Sequence, residues 1–474
     1  MCRVSLLAFW LCCVVPSSEA VNPGFAGRIT RKGLDYACQQ GVATLQKDLL
    51  AITLPEFSGS YRVKVIGNVD YRFYSLNIRR FELPHSTIEP MPGQGVRASI
   101  RNALAEMTGC WQLKKRWLKD QGSFELKVDG ISISVGLQLG RDGAGRPTIT
   151  ILDCNTHISN VDIDISGKWE WLYNLFKSKV ESAFKTAMES KICDIVRTSV
   201  NSKLESHLQS LPVTTRIDNT SSIDYSLVGP PIATSDCVDL DLKGEFFSNT
   251  QRTPAPFPPP PLSFPVDPDR MVQFAISTYF FNTAGQVYYQ AERLTSWIVD
   301  DMVPKEIKIR LNTACFEPFI PQIKKLYPSM PMKLRVSPSS APFLSISPES
   351  ISLAPSVDIQ AFAILPNSSL APLFLIEVTT SVSAKVDVNS TRIFGDLKMG
   401  RMRFSLKHSD VGIFSVQLLE TLINFVTASI LIPQMNARLA EGFPLPLLDH
   451  LEISNPILQA HQDFLLFASD VRYE

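Results

Sequence analysis

Apolar residues recur at every third or fourth position along two long stretches of the chain, which is the pattern of an amphipathic helix. The first stretch covers 169–211 and stops at Pro212, and the second covers about 412–443 and stops at Pro444. A shorter helical pattern runs from Ile29 to Leu49. A helix of about 40 residues is roughly 60 Å long, since each residue adds about 1.5 Å. Each half of the chain is therefore predicted to be elongated.

Between the helices, apolar and polar residues alternate, which is the pattern of strands with one buried face. Apolar residues occupy even positions over 124–128 and odd positions over 131–139, so the switch at Asp129-Gly130 predicts a bulge or a turn. A long helix laid along a strongly curved antiparallel sheet buries both apolar faces. We therefore predict an α+β fold in which this arrangement occurs twice, with two unrelated α+β domains as the alternative.

A proline-dense segment, TPAPFPPPPLSFP at 253–265, separates the two halves. Proline cannot donate a backbone hydrogen bond and favours extended geometry, so we predict a semi-rigid linker at 250–268. The linker divides the chain into an N-terminal domain at 21–249 and a C-terminal domain at 269–474. Residues 1–20 are predicted to be a cleaved signal peptide, because their apolar stretch is shorter than the about 20 residues that a membrane anchor needs.

Secretion permits disulfides, and the chain has nine cysteines, of which three leave with the signal peptide, Cys2, Cys12 and Cys13. Six remain, which is an even number. The net charge is zero, with 46 basic and 46 acidic residues, so bulk charge indicates no partner and no nucleic acid is expected. Three Asn-X-Ser/Thr sequons are candidate glycosylation sites, beginning at Asn219, Asn367 and Asn389.

The sequence contains none of three common catalytic motifs. It has no Gly-rich phosphate loop, no Gly-X-Ser-X-Gly segment and no His-Glu-X-X-His segment. Its six histidines are scattered singly, and no two of them have metal-ligand spacing on one element. We therefore predict a binding protein with no metal and no catalytic residue, and a triad assembled from distant residues is the alternative.

One short segment, GCWQLKKRWLK at 109–119, combines basic and aromatic residues, and a hairpin turn is predicted after it at Asp120–Ser123. With the strand before it, residues 97–119 hold six cations and one acid, a local charge of +5. Such clustering suits an anionic lipid surface, which tryptophan can enter, whereas a solvated hairpin is the alternative. The candidate binding residues are Arg97, Arg101, Trp111, Lys114, Lys115, Arg116, Trp117 and Lys119.

Segments spread over the whole chain after residue 20 are similar to one family, that of bactericidal/permeability-increasing protein and lipopolysaccharide-binding protein. The matching segments are VNPGFAGRITRKGLDYACQQG at 21–41, ITLPEFSG at 52–59, GISISV at 130–135, GRPTIT at 145–150, LPVTTRID at 211–218, QAFAILPNSSLAPLFLI at 360–376 and AEGFPLPLL at 440–448. The resemblance implies a boomerang of two similar barrels joined by a central sheet. It also implies a phospholipid in a pocket of each barrel and no other cofactor.

The resemblance further implies one disulfide, Cys154–Cys193, within the segments LDCNT and KICDIV. It leaves the pairing of the remaining cysteines open, namely Cys38, Cys110, Cys237 and Cys315. Lys114, Lys115 and Lys119 match positions of the family's binding cations. Cys110 and Gln112, in contrast, stand where the family usually has basic residues, which predicts lower affinity or a differently tuned site.

The function implied by the resemblance is that of a secreted innate-immune protein, with storage in granules as one variant. It would bind the lipid A part of lipopolysaccharide on the outer membrane of Gram-negative bacteria, and its C-terminal half would face a host receptor. The sequence does not distinguish a protein that kills bacteria from one that presents lipopolysaccharide. The alternative function is a lipid-transfer protein that carries host phospholipid or neutral lipid.

Overall fold

The structure is a computed structural model that describes residues 22–51, 54–64, 67–115, 118–166, 177–265, 269–303, 310–389, 392–444 and 451–473. The predicted signal peptide at 1–20 lies outside these ranges. None of the helices in the described ranges is long and apolar enough to cross a membrane.

The N-terminal half is built on one long antiparallel sheet. After a first strand, β1, at Phe25–Thr30, the sheet takes its strands in the order β2-β3-β5-β6-β7, with β4 paired to β5. Strands β5 to β7 have 21, 24 and 19 residues, so each is about 60–80 Å long at about 3.3 Å per residue. The six strands are β2 Phe57–Val63, β3 Gly67–Glu82, β4 His85–Met91, β5 Gly95–Lys115, β6 Leu118–Arg141 and β7 Pro147–Ile165.

Two helical segments cover the inner face of this sheet. Helix α1, Arg31–Leu50, begins where Thr30 Oγ1 accepts a hydrogen bond from the Gly33 amide. The second comprises α2 Lys177–Thr198, a π-helical turn Ser199–Leu204 and α3 Glu205–Ser210. Residues 169–176 of the helix predicted at 169–211 lie outside the described residues. The buried side of α2 and the π-helical turn carries Val180, Phe184, Met188, Ile192, Val196 and Val200.

The π-helical turn changes which residues face the sheet. A π-helical turn contains an extra residue compared with an α-helical one, so the side chains after it are rotated about the helix axis. Leu204, the last residue of this turn, is 41% exposed, whereas Leu208 after the turn packs against the core. The apolar spacing predicted over 169–211 is therefore interrupted at Leu204.

Helix carboxylates complete the hydrogen bonding of β7, the last strand in the order of this sheet. Glu189 Oε1 accepts from the Ile158 amide at 2.9 Å, and Glu205 Oε2 accepts from the Ile149 amide at 2.7 Å. An open sheet edge presents unpaired amides that can pair with another chain. These two glutamates therefore protect the edge while the helix packs on it.

The change of alternation predicted at Asp129-Gly130 is confirmed as an irregularity of the β5–β6 pair. Gly130 has a φ of +65°, and Asn102 on the neighbouring strand has a φ of +56°. The pairing register shifts in the same region. Val128 and Ile131 are therefore both buried although their positions differ in parity.

The predicted disulfide is confirmed. Cys154 on β7 and Cys193 on α2 are bonded, with an S–S distance of 2.07 Å and a sequence separation of 39 residues. The other four cysteines of the described ranges are not in disulfides. The bond thus fastens the helix directly to the sheet.

Replacing both bonded cysteines by alanine should lower the free energy of unfolding by about 2–4 kcal/mol, because a closed loop of this length restricts the unfolded chain. Urea unfolding followed by circular dichroism measures the change. Cys110→Ala, at a cysteine outside any disulfide, is the control and should lose less. Equal losses in the two variants would contradict a stabilising role of the bond.

Five short strands complete the N-terminal half, and the C-terminal half then combines sheets and helices again. The five are β8 Thr214–Arg216, β9 Ser221–Asp224, β10 Ile232–Ala233, β11 Cys237–Leu242 and β12 Glu245–Ser248. The C-terminal helices are α4 Thr278–Gln290, a 3₁₀ turn Asp300–Met302, α5 Thr313–Phe316, α6 Ile323–Leu326, α7 Gln417–Val426, a π-helical turn Thr427–Leu431 and α8 Ile432–Glu441.

Two five-stranded sheets form the body of the C-terminal half, in the orders β14-β15-β18-β19-β22 and β16-β17-β20-β21-β23. Its strands are β13 Val272–Ser277, β14 Ser296–Val299, β15 Met332–Pro338, β16 Leu344–Ile346, β17 Ile351–Leu353, β18 Ser356–Ile364, β19 Leu370–Thr379, β20 Val382–Val388, β21 Arg392–Met399, β22 Arg403–Ser409, β23 Phe443–Pro444, β24 Leu451–His461 and β25 Phe464–Tyr473.

Strands from both halves form a six-stranded central sheet in the order β10-β11-β1-β13-β25-β24. The two halves meet where β1 pairs with β13, for example Phe25 with Ile276. The proline-rich segment packs on this sheet, and the Arg28 guanidinium lies 4.5 Å from the Phe264 ring centre. The predicted α+β fold, with two sheet-and-helix halves joined by a central sheet, is confirmed.

Candidate functional site

The basic segment lies at one end of the N-terminal sheet, where β5 turns into β6. Lys114 pairs with Lys119, and Lys115 pairs with Leu118 at the end of the two strands. Arg116 and Trp117 lie outside the described residues. The hairpin turn predicted at Asp120–Ser123 was wrong, because these residues continue β6 opposite Cys110 to Leu113 of β5.

A second hairpin stands beside this turn and adds two cations that the sequence did not indicate. Strands β2 and β3 pair as far as Val63 and Gly67, which places Arg62 and Lys64 at the same end of the sheet. A methyl group added to Gly67 would lie 3.1 Å from Lys115 Nζ, so the two hairpins are in contact. We call Arg62, Lys64, Lys114, Lys115 and Lys119 the cationic tip.

The cationic tip is exposed and has more basic than acidic residues. All its members are exposed except Lys115, which is half-buried. Two acids lie nearby, Asp70 opposite Lys114 on β3 and Asp120 opposite Leu113 on β6. Like charges directly opposite each other across two strands destabilise a sheet, so the Lys114–Lys119 pair has a cost for folding. An anion bound between them would relieve the repulsion.

Arg97 does not belong to the cationic tip. It lies on the same strand as Lys114 but 17 residues away, which is about 55 Å along the strand. Arg101, 13 residues from Lys114, is about 40 Å from it. The prediction that residues 97–119 form one cluster of six cations is therefore corrected, because a single long strand separates its ends.

Arg97 forms an ion pair across the sheet. Its Nη1 and Nη2 donate to the two carboxylate oxygens of Asp153, each at 3.0 Å. Gly136 lies between them on the middle strand, and a Cβ there would be 2.5 Å from Asp153 Oδ2. The hydrogen bonds from Arg97 hold the pKa of Asp153 below its ordinary value. Arg97 is thus engaged in a pair about one third exposed, of the kind that contributes about 0–1 kcal/mol to stability.

Trp111 lies in the core of the N-terminal half and not on its surface. Only 2% of the residue is exposed. Its Nε1 donates to the carbonyl oxygens of Ser123 and Ser166, at 3.2 and 3.1 Å. It faces Gly122, which leaves room for the indole. The prediction that Trp111 enters a lipid surface is corrected, since the side chain is buried and its N–H is bonded to the backbone.

The lysines of helix α2 are an ordinary helix surface. Lys177 Nζ lies 2.7 Å from Asp162 Oδ1 and 3.7 Å from Glu181. The bond to Asp162 raises the pKa of Lys177 above its ordinary value. The positive charge of this helix is therefore partly matched by acids.

The three sequon asparagines lie on exposed turns. Asn219 is in the β8–β9 turn, Asn367 in the β18–β19 turn and Asn389 in the β20–β21 turn. Each side-chain oxygen accepts a local hydrogen bond, from Arg216, Ser369 and Arg392 respectively. Their glycosylation stays a prediction.

Comparisons with known proteins cover nearly the whole chain. Residues 33–211 match the model of the LBP / BPI / CETP family, N-terminal domain, and residues 215–473 match that of its C-terminal domain. Lipopolysaccharide-binding protein of Homo sapiens is 45% identical over 469 residues, which are 99% of this chain and 98% of the relative. Bactericidal permeability-increasing protein of Rattus norvegicus is 40% identical over 455 residues, 96% of this chain and 94% of the relative.

A solved structure shows the same fold. The crystal structure of lipopolysaccharide binding protein superposes with a TM-score of 0.68 at 42% sequence identity, covering 96% of this chain and 100% of that one. Both domain models and full-length relatives thus match the chain, in agreement with the segments identified in the sequence. The chain therefore belongs to the LBP / BPI / CETP family.

Proposed function

We propose that this protein binds lipopolysaccharide and that the cationic tip captures the phosphates of its lipid A part. The observation that carries the proposal is the pairing of two exposed lysines, Lys114 and Lys119, whose mutual repulsion a phosphate would relieve. Lys64 and the half-buried Lys115 lie beside this pair. Each cation near an anionic lipid surface contributes about 1 kcal/mol to binding. The relatives named for lipopolysaccharide binding support the same ligand.

The proposal also gives each of the two domains a role. The N-terminal domain, 21–249, takes up lipid, and acyl chains enter an apolar pocket of its barrel, with phospholipid bound in each barrel. The C-terminal domain, 269–474, faces a host receptor beyond the linker at 250–268. The protein is secreted and acts at the outer membrane of Gram-negative bacteria. Capture then leads either to killing and neutralisation or to presentation.

Binding of the mature protein to immobilised lipopolysaccharide over a salt series tests the proposal. We expect tight binding that weakens as salt rises, because the screening length falls from about 10 Å at 0.1 M to about 3 Å at 1 M salt. Phosphatidylcholine vesicles, which have no net charge, are the control surface. Equal binding to both surfaces, independent of salt, would contradict the proposal and favour the lipid-transfer alternative.

A further inference from the structure

A shallow cavity of about 340 Å³ lies on the outer face of the N-terminal sheet, next to the cationic tip. Its polar side chains come from three neighbouring strands, Ser58 from β2, Asp70 and Arg72 from β3, and Gln112 and Lys114 from β5. Sites for small molecules have volumes of about 300–1,000 Å³. The cavity is therefore large enough for a small polar ligand, and Lys114 belongs both to it and to the cationic tip.

The strand register explains why these groups meet. Ser58 pairs with Arg72, Arg72 with Gln112, and in the next row Asp70 pairs with Lys114. Directly paired residues have Cβ atoms about 4.5–5.5 Å apart on the same face. Two adjacent rows of the sheet thus present a hydroxyl, an amide, a carboxylate and two cations within one small area.

Arg72 is held in place before any ligand arrives. Its Nε donates to Glu56 Oε2 at 2.9 Å, its Nη2 bonds the same oxygen, and its guanidinium carbon lies 5.4 Å from the Tyr74 ring centre. A guanidinium has five N–H donors in a fixed plane, so the bonds to Glu56 leave others for a ligand. The position of the charge is thus fixed by neighbouring residues.

The combination of groups matches the chemistry of an acidic sugar. A carboxylate, an amide and a hydroxyl exchange hydrogen bonds with sugar hydroxyls, and Lys114 and Arg72 pair with an acidic substituent. The neighbouring row ends in Lys119, which the proposed function assigns to lipid A phosphates. A saccharide attached to bound lipid A would therefore lie close to the cavity.

We infer that this cavity binds an acidic sugar of the saccharide that lipid A carries, so that the protein recognises the sugar part of lipopolysaccharide as well as its phosphates. The inference rests on the proposed function, because it takes the cationic tip as the place where lipid A binds. The contact made by Gln112 is separate from the charge of the tip, so the two parts of recognition can be measured apart.

The experiment compares two immobilised ligands from one bacterial strain, complete lipopolysaccharide and lipid A freed of its saccharide. The unchanged protein should bind the complete ligand more tightly. The double variant Ser58→Ala/Gln112→Ala should lose about tenfold in affinity for the complete ligand and nothing for lipid A, since only hydrogen bonds to sugar are removed. Gln121→Ala is the matched control, because Gln121 pairs with Gln112 on β6 but does not line the cavity.

A second measurement uses the delipidated core oligosaccharide in solution, titrated calorimetrically into the mature protein. Binding of this oligosaccharide that is lost in Ser58→Ala/Gln112→Ala supports the inference. Equal affinity of the unchanged protein for lipid A and complete lipopolysaccharide would overturn it while leaving the proposed function intact. Equal competition by a heparin-derived oligosaccharide would overturn the assignment to this saccharide. Failure to bind lipid A at all would instead contradict the proposed function.

Discussion

Reversing three charges of the cationic tip, Lys114→Glu, Lys115→Glu and Lys119→Glu together, should reduce the affinity for lipopolysaccharide by about four orders of magnitude. Each lysine near an anionic lipid surface contributes about 1 kcal/mol, and replacing it by an acid changes the interaction by about twice that amount. Three replacements therefore change the binding free energy by about 6 kcal/mol, and about 1.4 kcal/mol corresponds to a factor of ten. Direct binding at about 0.1 M salt, where the screening length is about 10 Å, measures the effect.

The control has the same change of charge at a different place. Lys179, Lys185 and Lys191 lie on helix α2, and their reversal to glutamate alters the net charge by the same amount without touching the tip. We expect affinity within a few fold of the unchanged protein, because screening weakens charges farther away than about 10 Å. If both triple variants lost affinity equally, net charge and not the tip would determine binding.

Part of the tip could be predicted from the sequence, because Lys114, Lys115 and Lys119 form one local run. Lys64 could not, since only the pairing of β2 with β3 and of β3 with β5 brings the two hairpins together. Strand pairing between distant segments depends on the packing of the whole sheet. The sequence patterns indicated each strand but not its neighbours.

The prediction that Arg97 belongs to the basic cluster was wrong for a related reason. Residues 97–119 are close in sequence, which indicates a cluster only if the strand that contains them is short. β5 instead continues for 21 residues, so closeness along the chain becomes distance along the sheet. Arg97 and Asp153, 56 residues apart in sequence, meet across Gly136 because the intervening strand lacks a side chain there.

The buried position of Trp111 could have been predicted from the alternation. Residues 103, 105, 107, 111 and 113 share one parity, and all are buried, with the apolar Met107 and Leu113 among them. The even-numbered positions, which lie on the outer face of the strand, are occupied by Gln112 and Lys114 instead. Closeness to lysines in the sequence does not place Trp111 at a lipid surface, because a strand puts successive side chains on opposite faces.

Trp111→Ala should therefore be a stability variant and not a binding variant. Truncating a buried tryptophan to alanine costs about 3–5 kcal/mol, from lost apolar contacts and the cavity left behind. The loss should be large here because the indole has 2% exposure. Urea unfolding followed by circular dichroism measures it, and the affinity of the protein that remains folded should stay within a few fold of the unchanged value.

Trp111→Phe separates packing from hydrogen bonding at the same site. Phenylalanine keeps most of the apolar contact but cannot donate to the carbonyl oxygens of Ser123 and Ser166, to which the indole N–H bonds. The backbone of Ser123 still accepts from Ser166 Oγ at 2.8 Å, so we expect a smaller loss of about 1–2 kcal/mol. A Trp111→Ala variant that kept full stability but lost lipopolysaccharide binding would contradict the position of Trp111 in the core. It would indicate that this side chain contacts the lipid surface.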